Sequence, residues 1–365
     1  MRITEVRLGI LEVPLKTPFR TALRTVASVE GLVVAIHTDT GHVGHGGAAP
    51  TPVITGDTRG SMIEAIGGII APRLVGEDVA DLNRLMCMVQ EALRHNTSAK
   101  AAVEIAIHDL WAQLHGAPLY RMLGGGEPRL TTDITISVDG IDAMVAESLA
   151  AVELGFDALK LKLDRDSGLA IERVKAIHAA VGGRALLRLD ANQAWTAKQA
   201  VQVMGRLEDA GVPLDLLEQP VPARDIAGLR YVSRRIATPV MADESVFGPL
   251  QAIELIRQRA ADIINIKLMK SGGISDALRI ADIAALHGVE CMIGCMIETG
   301  VSVAAAAHLA VARPDVITRV DLDAPSLCAF DPVDGGVRFD GPHITIPDAP
   351  GLGIRGIRGC RPVAP

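Results

Sequence analysis

The chain has 365 residues, of which 49% are hydrophobic and only 2% aromatic, so a large core can form and must be built mainly from aliphatic side chains. This length exceeds one ordinary core and predicts more than one domain. The net charge is −7 and no basic run occurs, which argues against a nucleic-acid partner.

The sequence also shows no sign of export or membrane insertion. Residues Met1–Arg7 lead directly into alternating apolar and charged positions without the apolar stretch of a signal peptide. No apolar run reaches the roughly 18 residues of a membrane span. The five cysteines are scattered and odd in number, as is typical of reduced thiols. We therefore expect a cytoplasmic protein with no membrane partner.

Residues 1–56 are predicted to form antiparallel strands. The strand-like runs are Ile3–Pro14, Leu32–Thr38 and His42–Ala49, with Asp39-Thr40-Gly41 as the turn between the last two. Between the first two runs, the segment Lys16–Ser28 is interpreted as a mobile loop that carries Phe19, Arg20 and Arg24.

From about Thr58 to Gly116 the apolar spacing becomes helical. Ser98 is predicted to cap the helix Ala99–His115 at its N-terminus. The glycines at 124–126 are not followed by the Lys-Ser/Thr of a phosphate loop, so we interpret them as a hinge.

A different rhythm begins at Thr131, where short β-branched runs alternate with helical segments. The runs are Asp133–Val138, Ala158–Leu163, Ala185–Asp190, Leu214–Glu218, Val240–Asp243, Ile263–Leu268, Glu290–Gly294 and Ile317–Asp321. This alternation predicts an α/β protein with a parallel sheet, and eight strands can close into a barrel. An open doubly wound sheet is the alternative, although no Gly-x-Gly-x-x-Gly follows an early strand. In the tail, only His343–Pro347 resembles a strand.

Charged residues mark the ends of most of these strands, where a βα barrel places its catalytic groups. In the run Leu159–Leu163, leucine and lysine alternate, so Lys160 and Lys162 share one face of the strand. The later strand ends supply Asp190, Glu218, Asp243, Lys267, Asp321 and Asp323.

Asp190, Glu218 and Asp243 come from three consecutive strands and would repel one another unless a cation neutralised them. Oxygen ligands with open positions suit Mg²⁺. Zinc is disfavoured because no His or Cys falls at these positions. The alternative is that the carboxylates and lysines only form salt bridges at the barrel mouth.

With such a metal, a bound carboxylate substrate has an acidified α-proton, and a lysine near other cations can act as a base. The second and sixth strands lie on opposite sides of an eight-stranded ring. Lys162 and Lys267 are therefore predicted to address opposite faces of one carbon, as inversion of a stereocentre requires.

These residues together resemble the enolase superfamily, and within it the muconate-lactonizing subgroup. The supporting motifs are Lys160-x-Lys162, Asp190-x-Asn192, Glu218-Gln219-Pro220, Asp243-Glu244-Ser245 and Lys267-Leu-Met-Lys270-Ser-Gly-Gly273. The resemblance implies a modified TIM barrel, (β/α)7β, over residues 126–324, an α+β capping domain over 1–125, and a tail, 325–365, that returns to the capping domain. It implies one Mg²⁺ per subunit, with Asn192 and Glu244 orienting the metal ligands or a lysine.

Two segments resemble the dipeptide epimerase branch, most closely the L-Ala-D/L-Glu epimerases. Asp321-x-Asp323 on the last strand implies binding of the substrate's free ammonium, and Arg24 implies contact with a glutamate side chain. Ile297 and Glu298, after the seventh strand, are predicted to line the pocket. The implied reaction is inversion of the C-terminal residue of a dipeptide through an enolate, with Lys162 and Lys267 as acid and base and Lys160 supplying positive charge.

Gly44-His45-Gly46-Gly47 departs from this family, whose members commonly have a bulky residue near His45 and a Glu at Gly47. Other activities of the same subgroup are the nearest alternatives: o-succinylbenzoate synthesis, N-acylamino acid racemisation or muconate cycloisomerisation. A non-catalytic, metabolite-binding barrel is the alternative from another class. We also expect a homo-oligomer, although the sequence does not give the number of subunits.

Overall fold

The computed structural model of the chain describes residues 1–21 and 25–363. It begins with an antiparallel sheet of the strands β1 (Ile3–Arg20), β2 (Thr25–Thr38) and β3 (Val43–Ala48). The predicted loop over Lys16–Ser28 is wrong, because the two long strands extend through most of it. After a register shift beyond Pro14, pairing resumes with Phe19 opposite Val26.

Helices of the N-terminal region pack on this sheet. They are α1 (Arg59–Glu64), a π-helical segment (Ala65–Ile70), α2 (Ala71–Leu74), α3 (Leu82–Gln90), α4 (Thr97–Leu114) and α5 (Leu119–Met122). The predicted cap at Ser98 is wrong: α4 begins after Asn96, whose φ is +49°. Ser98 lies inside the first turn, and its backbone N–H donates to Asp57 Oδ2 at 2.9 Å.

The barrel follows β4 (Arg129–Thr131). Its eight strands are β5 (Ile134–Ile136), β6 (Ala158–Lys162), β7 (Leu186–Asp190), β8 (Leu216–Glu218), β9 (Val240–Ala242), β10 (Ile263–Ile266), β11 (Glu290–Gly294) and β12 (Ile317–Asp321). They stand in sequential order, and every neighbouring pair is parallel. The predicted parallel barrel is confirmed.

Seven of the eight strands lead into helices of the outer layer. The helices are α6 (Ile141–Glu153), α7 (Ser167–Val181), α8 (Ala197–Asp209), α9 (Ile226–Ser233), α10 (Pro249–Gln258), α11 (Leu268–Ser271), α12 (Ile274–Leu286) and α13 (Gly300–Ala312). The last strand is followed only by the single turn α14 (Ala324–Leu327), which gives the predicted (β/α)7β arrangement.

The first and last barrel strands meet through polar contacts. Asp133 N–H donates to Val320 O at 3.2 Å, and Leu322 N–H donates to Thr132 Oγ1 at 2.8 Å. Beneath them the buried Arg188 contacts the Asp133 carboxylate at 2.7 Å. A buried ion pair therefore lies inside the barrel below the level of the strand ends.

The tail forms more structure than the sequence predicted. It contains β13 (Val333–Gly335), β14 (Arg338–Asp340), β15 (His343–Thr345), β16 (Ile354–Ile357) and β17 (Arg361–Val363). Of these strands only β15 was predicted, and the other four, each of three or four residues, were missed. β17 pairs with β1, so the tail returns to the capping domain as expected. In the described ranges, no helix combines the length and apolarity needed to cross a membrane.

The unusual glycines of β3 are explained by backbone contact with α4. A Cβ on Gly46 would stand 1.9 Å from the carbonyl oxygen of Ala102, and a Cβ on Gly44 would stand 2.2 Å from that of Ala106. A Cβ on Gly47 would lie 3.1 Å from Cβ of Val301 on α13. At this point the capping domain is in direct contact with the barrel, and a larger residue at Gly47 would require Val301 to shift by a few tenths of an ångström.

This close approach predicts a large difference between two glycine substitutions. Gly46→Ala should lower the free energy of unfolding by about 1–3 kcal/mol or more, because the new methyl group overlaps the α4 backbone. Gly60→Ala on α1 is the control, since no heavy atom lies within 4 Å of its Cβ position, and it should be neutral or stabilising by up to about 1 kcal/mol. Denaturant unfolding measures both, and equal effects would contradict the packing.

Candidate active site

The alternating lysines of β6 point into the mouth of the barrel. Leu159 and Leu161 are fully buried on the outer side, as the period of the strand requires. Lys160 and Lys162 are 1% and 6% exposed, so both ammonium groups lie inside the protein. Buried lysines need anionic partners, and the neighbouring strand ends provide them.

Lys160 lies at the centre of the acidic groups. Its Nζ is 2.6 Å from Glu218 Oε2, 2.7 Å from Asp321 Oδ2 and 3.3 Å from Asp190 Oδ2. Burial alone would lower the pKa of Lys160, but Asp321 and Glu218 raise it well above its ordinary value. Lys160 is therefore a permanent positive charge that joins the two sides of the barrel mouth.

Lys162 and Lys267 reach the acidic groups from opposite sides. Lys162 Nζ lies 2.5 Å from Asp190 Oδ2, whereas Lys267 Nζ lies 2.9 Å from Asp243 Oδ2 and 4.0 Å from Glu218 Oε1. The strands that lead to them, β6 and β10, are four places apart in a sheet of eight. Burial opposes the charged form of Lys267, but Asp243 raises the pKa of this lysine above its ordinary value.

The three carboxylates are buried and held by neutral donors as well as by lysines. Asn192 N–H donates to Asp190 Oδ1 at 2.9 Å, and Asn192 Nδ2 lies 3.3 Å from Asp190 Oδ2 and 3.5 Å from Glu244 Oε1. Asn192 thus contacts both Asp190 and Glu244, and the predicted role of Asn192 and Glu244 in orienting metal ligands or a lysine stays a prediction. Gln219 Oε1 accepts from Asp243 N–H at 2.9 Å and fixes the start of the next loop.

Two residues for which the sequence predicted no role complete this group. Lys270 Nζ lies 2.5 Å from Asp243 Oδ1 and 3.0 Å from the carbonyl oxygen of Asn265. Asn265 Nδ2 donates to Glu218 Oε1 at 2.9 Å. Asn265 lies two positions before Lys267, and period two on β10 would have placed both on one face. Lys270 is part of the motif Lys267-Leu-Met-Lys270-Ser-Gly-Gly273, but its side chain reaches Asp243 only because the chain turns through α11.

The donor set fits a divalent cation. Burial and then Asp190 raise the pKa of Glu218 to about 7, and burial and then Asp243 raise the pKa of Glu244 to about 8. Glu218 Oε2 is buried without a hydrogen bond, although Lys160 lies close to it. Among residues 1–21 and 25–363, no set of three or more His, Cys, Asp and Glu forms a ready-made metal site. Here the lysine ammonium groups neutralise the carboxylates that would serve as ligands.

A pocket that is partly open to solvent lies over these groups. Asp321 and Asp323 both line it, as do Lys162, Lys267 and the predicted Ile297. Asp323 Oδ2 accepts from Thr135 N–H at 2.7 Å. Burial and then Asp321 raise the pKa of Asp323 to about 6. A substrate cation would relieve the repulsion between these two carboxylates.

Glu298 was also predicted to line the pocket. Glu298 is buried, and its Oε1 accepts from Met296 N–H at 2.7 Å within its own loop. Arg24 lies outside the described residues, so its predicted contact with a substrate carboxylate stays a prediction.

The end of β1 is attached to the barrel. Val138 N–H donates to Arg20 O at 3.2 Å, and Arg20 Nη1 lies 3.2 Å from Asp139 Oδ2. Next to it, Phe19 lines the cavity, and its ring centroid lies 6.0 Å from Lys162 Nζ. The capping domain thus supplies one wall of the cavity through Phe19. Neither the residue spacing nor the composition of the sequence predicted this contact.

Comparison with known proteins agrees with this geometry. Residues 3–124 match the family model for the mandelate racemase/muconate lactonizing enzyme N-terminal domain, and residues 143–356 match the enolase C-terminal domain-like model. The chain is 48% identical to an L-Ala-D/L-Glu epimerase of Clostridium acetobutylicum, over 98% of this chain and 99% of the relative.

Solved structures of relatives superimpose closely. A substrate-liganded complex of the L-Ala-D/L-Glu epimerase from Bacillus subtilis matches with a TM-score of 0.96 at 47% identity, covering 98% of this chain and 99% of that one. A dipeptide epimerase from Enterococcus faecalis, complexed with Mg and the dipeptide L-Leu-L-Tyr, matches with a TM-score of 0.94 at 42% identity, covering 97% and 99%. The chain therefore belongs to the mandelate racemase/muconate lactonizing enzyme family of the enolase superfamily.

Proposed function

We propose that the protein is a Mg²⁺-dependent dipeptide epimerase that inverts the α-carbon of the C-terminal residue, interconverting L-Ala-L-Glu and L-Ala-D-Glu. The observation that carries the proposal is the position of Lys162 and Lys267 on opposite sides of three buried carboxylates, within one cavity. The names of the relatives at 47–48% identity support the same reaction.

Asp190, Glu218 and Asp243 would hold one Mg²⁺ per subunit. When bound, the ion would supply positive charge that stabilises negative charge developing on the substrate carboxylate. One lysine accepts the α-proton at its Nζ while the other donates a proton from its Nζ to the opposite face. Lys160, fixed between the acidic groups, adds a second positive charge near the developing enolate.

The direct test follows the α-proton. The protein is incubated with Mg²⁺ and L-Ala-L-Glu in D₂O, and the α-position is read by mass spectrometry and NMR. We expect deuterium incorporation together with formation of L-Ala-D-Glu, both of which stop on chelation of Mg²⁺. If no dipeptide in a library acquires α-deuterium, the proposal fails.

The free ammonium separates this reaction from N-acylamino acid racemisation. Asp323→Asn keeps the acceptor for Thr135 N–H but removes a charge from the cavity wall. Loss of one charged hydrogen bond should lower kcat/KM for L-Ala-L-Glu by about 10–150-fold. N-acetyl-L-Ala-L-Glu, which has no ammonium, should be a poor substrate of both proteins. If the unmodified protein prefers the acetylated compound, N-acyl racemisation becomes the better assignment.

Three expectations from the sequence stay predictions. They are the domain limits 1–125, 126–324 and 325–365, the homo-oligomeric state, and the cytoplasmic location. Light scattering on the purified protein decides the second, and fractionation of the source cells decides the third.

A further inference from the structure

The segment that holds Lys267 is a compact unit built after β10. Lys267 precedes the single turn α11, and its carbonyl oxygen accepts from Lys270 N–H at 2.9 Å and Ser271 N–H at 3.0 Å. Gly272 and Gly273, with φ of +81° and +132°, then turn the chain into α12. Because these bonds close a tight loop, the position of Lys267 depends on where the far end of the segment is held.

That far end is held by the capping domain rather than by the barrel. Glu104 on α4 is fully buried, and its Oε1 accepts from Ser275 Oγ at 2.6 Å while its Oε2 accepts from Ser275 N–H at 3.0 Å. Gln90 Nε2 donates to both Glu104 Oε1 at 2.7 Å and Gly272 O at 2.8 Å. Three hydrogen bonds thus join helices α3 and α4 to the segment, and the bond between Gln90 and Glu104 links the two helices to each other.

The contact leaves little freedom for movement. A Cβ on Gly273 would stand 2.3 Å from Glu104 Oε2, so the segment's backbone lies directly against the carboxylate. Lys100 Nζ donates to the backbone carbonyl oxygen of Gln90 at 2.9 Å and ties the end of α3 to α4. In the described part of the chain, the groups that donate to the Glu104 carboxylate belong to Gln90 and Ser275 and are neutral. Burying a carboxylate without an ion pair costs free energy of folding. An apolar residue at this position would stabilise the fold more if packing were its only role.

Among the contacts of the described residues, none links Lys162 to Glu104 in a comparable way. It lies on β6 and contacts Asp190 and the ring of Phe19. Displacement of the segment should therefore move Lys267 and leave Lys162 where it is.

We propose that Glu104 is a positioning residue, through which the capping domain sets the place of Lys267 beside Asp243. The proposal rests on the proposed epimerase function, in which each lysine serves one face of the α-carbon. It predicts that loss of Glu104 impairs one half of the reaction selectively. A residue that only stabilised the fold would impair both halves equally.

The test measures α-deuterium uptake separately from L-Ala-L-Glu and L-Ala-D-Glu in D₂O with Mg²⁺. Lys162→Ala and Lys267→Ala first identify which epimer each lysine deprotonates. Glu104→Ala should then lower exchange of the Lys267-dependent epimer about 10–100-fold, as expected for a displacement near 1 Å, and change the other less than about threefold. Glu104→Gln, which keeps an acceptor, should recover part of the loss.

Asp109→Ala is the matched control on the same helix. Asp109 is also buried, but its carboxylate accepts from His45 N–H and Leu352 N–H, each at 2.8 Å, away from the Lys267 segment. This variant should not favour either epimer. Equal losses for both epimers in Glu104→Ala, or no loss, would overturn the proposal.

Ser275→Ala tests the same contact if the Glu104→Ala variant does not fold. It removes the Oγ donor from the barrel side and should produce the same one-sided loss, about 3–10-fold in size. A symmetric effect there would also overturn the inference. If the unmodified protein exchanges neither epimer, the proposed epimerase function is wrong. If it exchanges both normally and the variants lose exchange of both epimers equally, only the role of Glu104 is rejected.

Discussion

Replacing Lys267 by alanine is expected to abolish epimerisation while one of the two epimers still exchanges its α-proton with solvent. Lys162 remains on its own side of the carboxylates, 2.5 Å from Asp190, and can remove and return a proton there. Inversion needs the opposite amine and should fall by about 10²–10⁴-fold, the usual contribution of a general acid or base. Lys162→Ala should show the mirror pattern, with exchange confined to the other epimer.

The control is Lys198→Ala, which removes an exposed lysine from α8 and should leave both exchange reactions unchanged. Proton NMR in D₂O, started from each pure epimer, separates exchange from inversion. If both lysine variants lose exchange of the same epimer, the two amines do not serve opposite faces and the two-base arrangement is wrong.

The central part of this site was predictable because the alternation of residues along the strands determines which side chains share a face. Leucine and lysine alternate over Leu159–Leu163, and that pattern alone places both β6 ammonium groups on one face. The eight short runs have the spacing of βα units, so the barrel follows, and parallel strands bring their charged ends to a common edge. Local pattern and global fold agree here, and each supports the other.

What the sequence could not give depends on contacts between distant segments. Lys270 enters the site because α11 turns it inward, and Glu104 reaches Ser275 across 171 positions of sequence. The extension of β1 and β2 depends on pairing between them after a register shift, which neither strand shows by itself. The prediction that Ser98 caps α4 was wrong because Asn96, in a left-handed conformation, is the N-cap and α4 begins two residues earlier.

Metal dependence should be visible without any turnover. At about 100 times its Kd, Mg²⁺ is expected to stabilise the unmodified protein by about 2.7 kcal/mol, which is a rise in Tm of roughly 3 °C for a chain of this length. Glu218→Gln keeps an oxygen to accept from Asn265 Nδ2 but removes the central ligand charge. Its Mg²⁺ affinity should fall by more than about 100-fold, because a direct ligand is lost rather than an outer partner.

The same variant distinguishes a metal site from a set of salt bridges. If the carboxylates exist only to pair with Lys160 and Lys267, Mg²⁺ should not stabilise the unmodified protein, and Glu218→Gln should act only through the lost contact 2.6 Å from Lys160 Nζ. Glu147→Gln serves as the control, since Glu147 lies on α6 in a cavity outside the barrel mouth. Calorimetric titration of all three proteins with Mg²⁺ measures the difference, and an undiminished affinity in Glu218→Gln would remove Glu218 from the metal site.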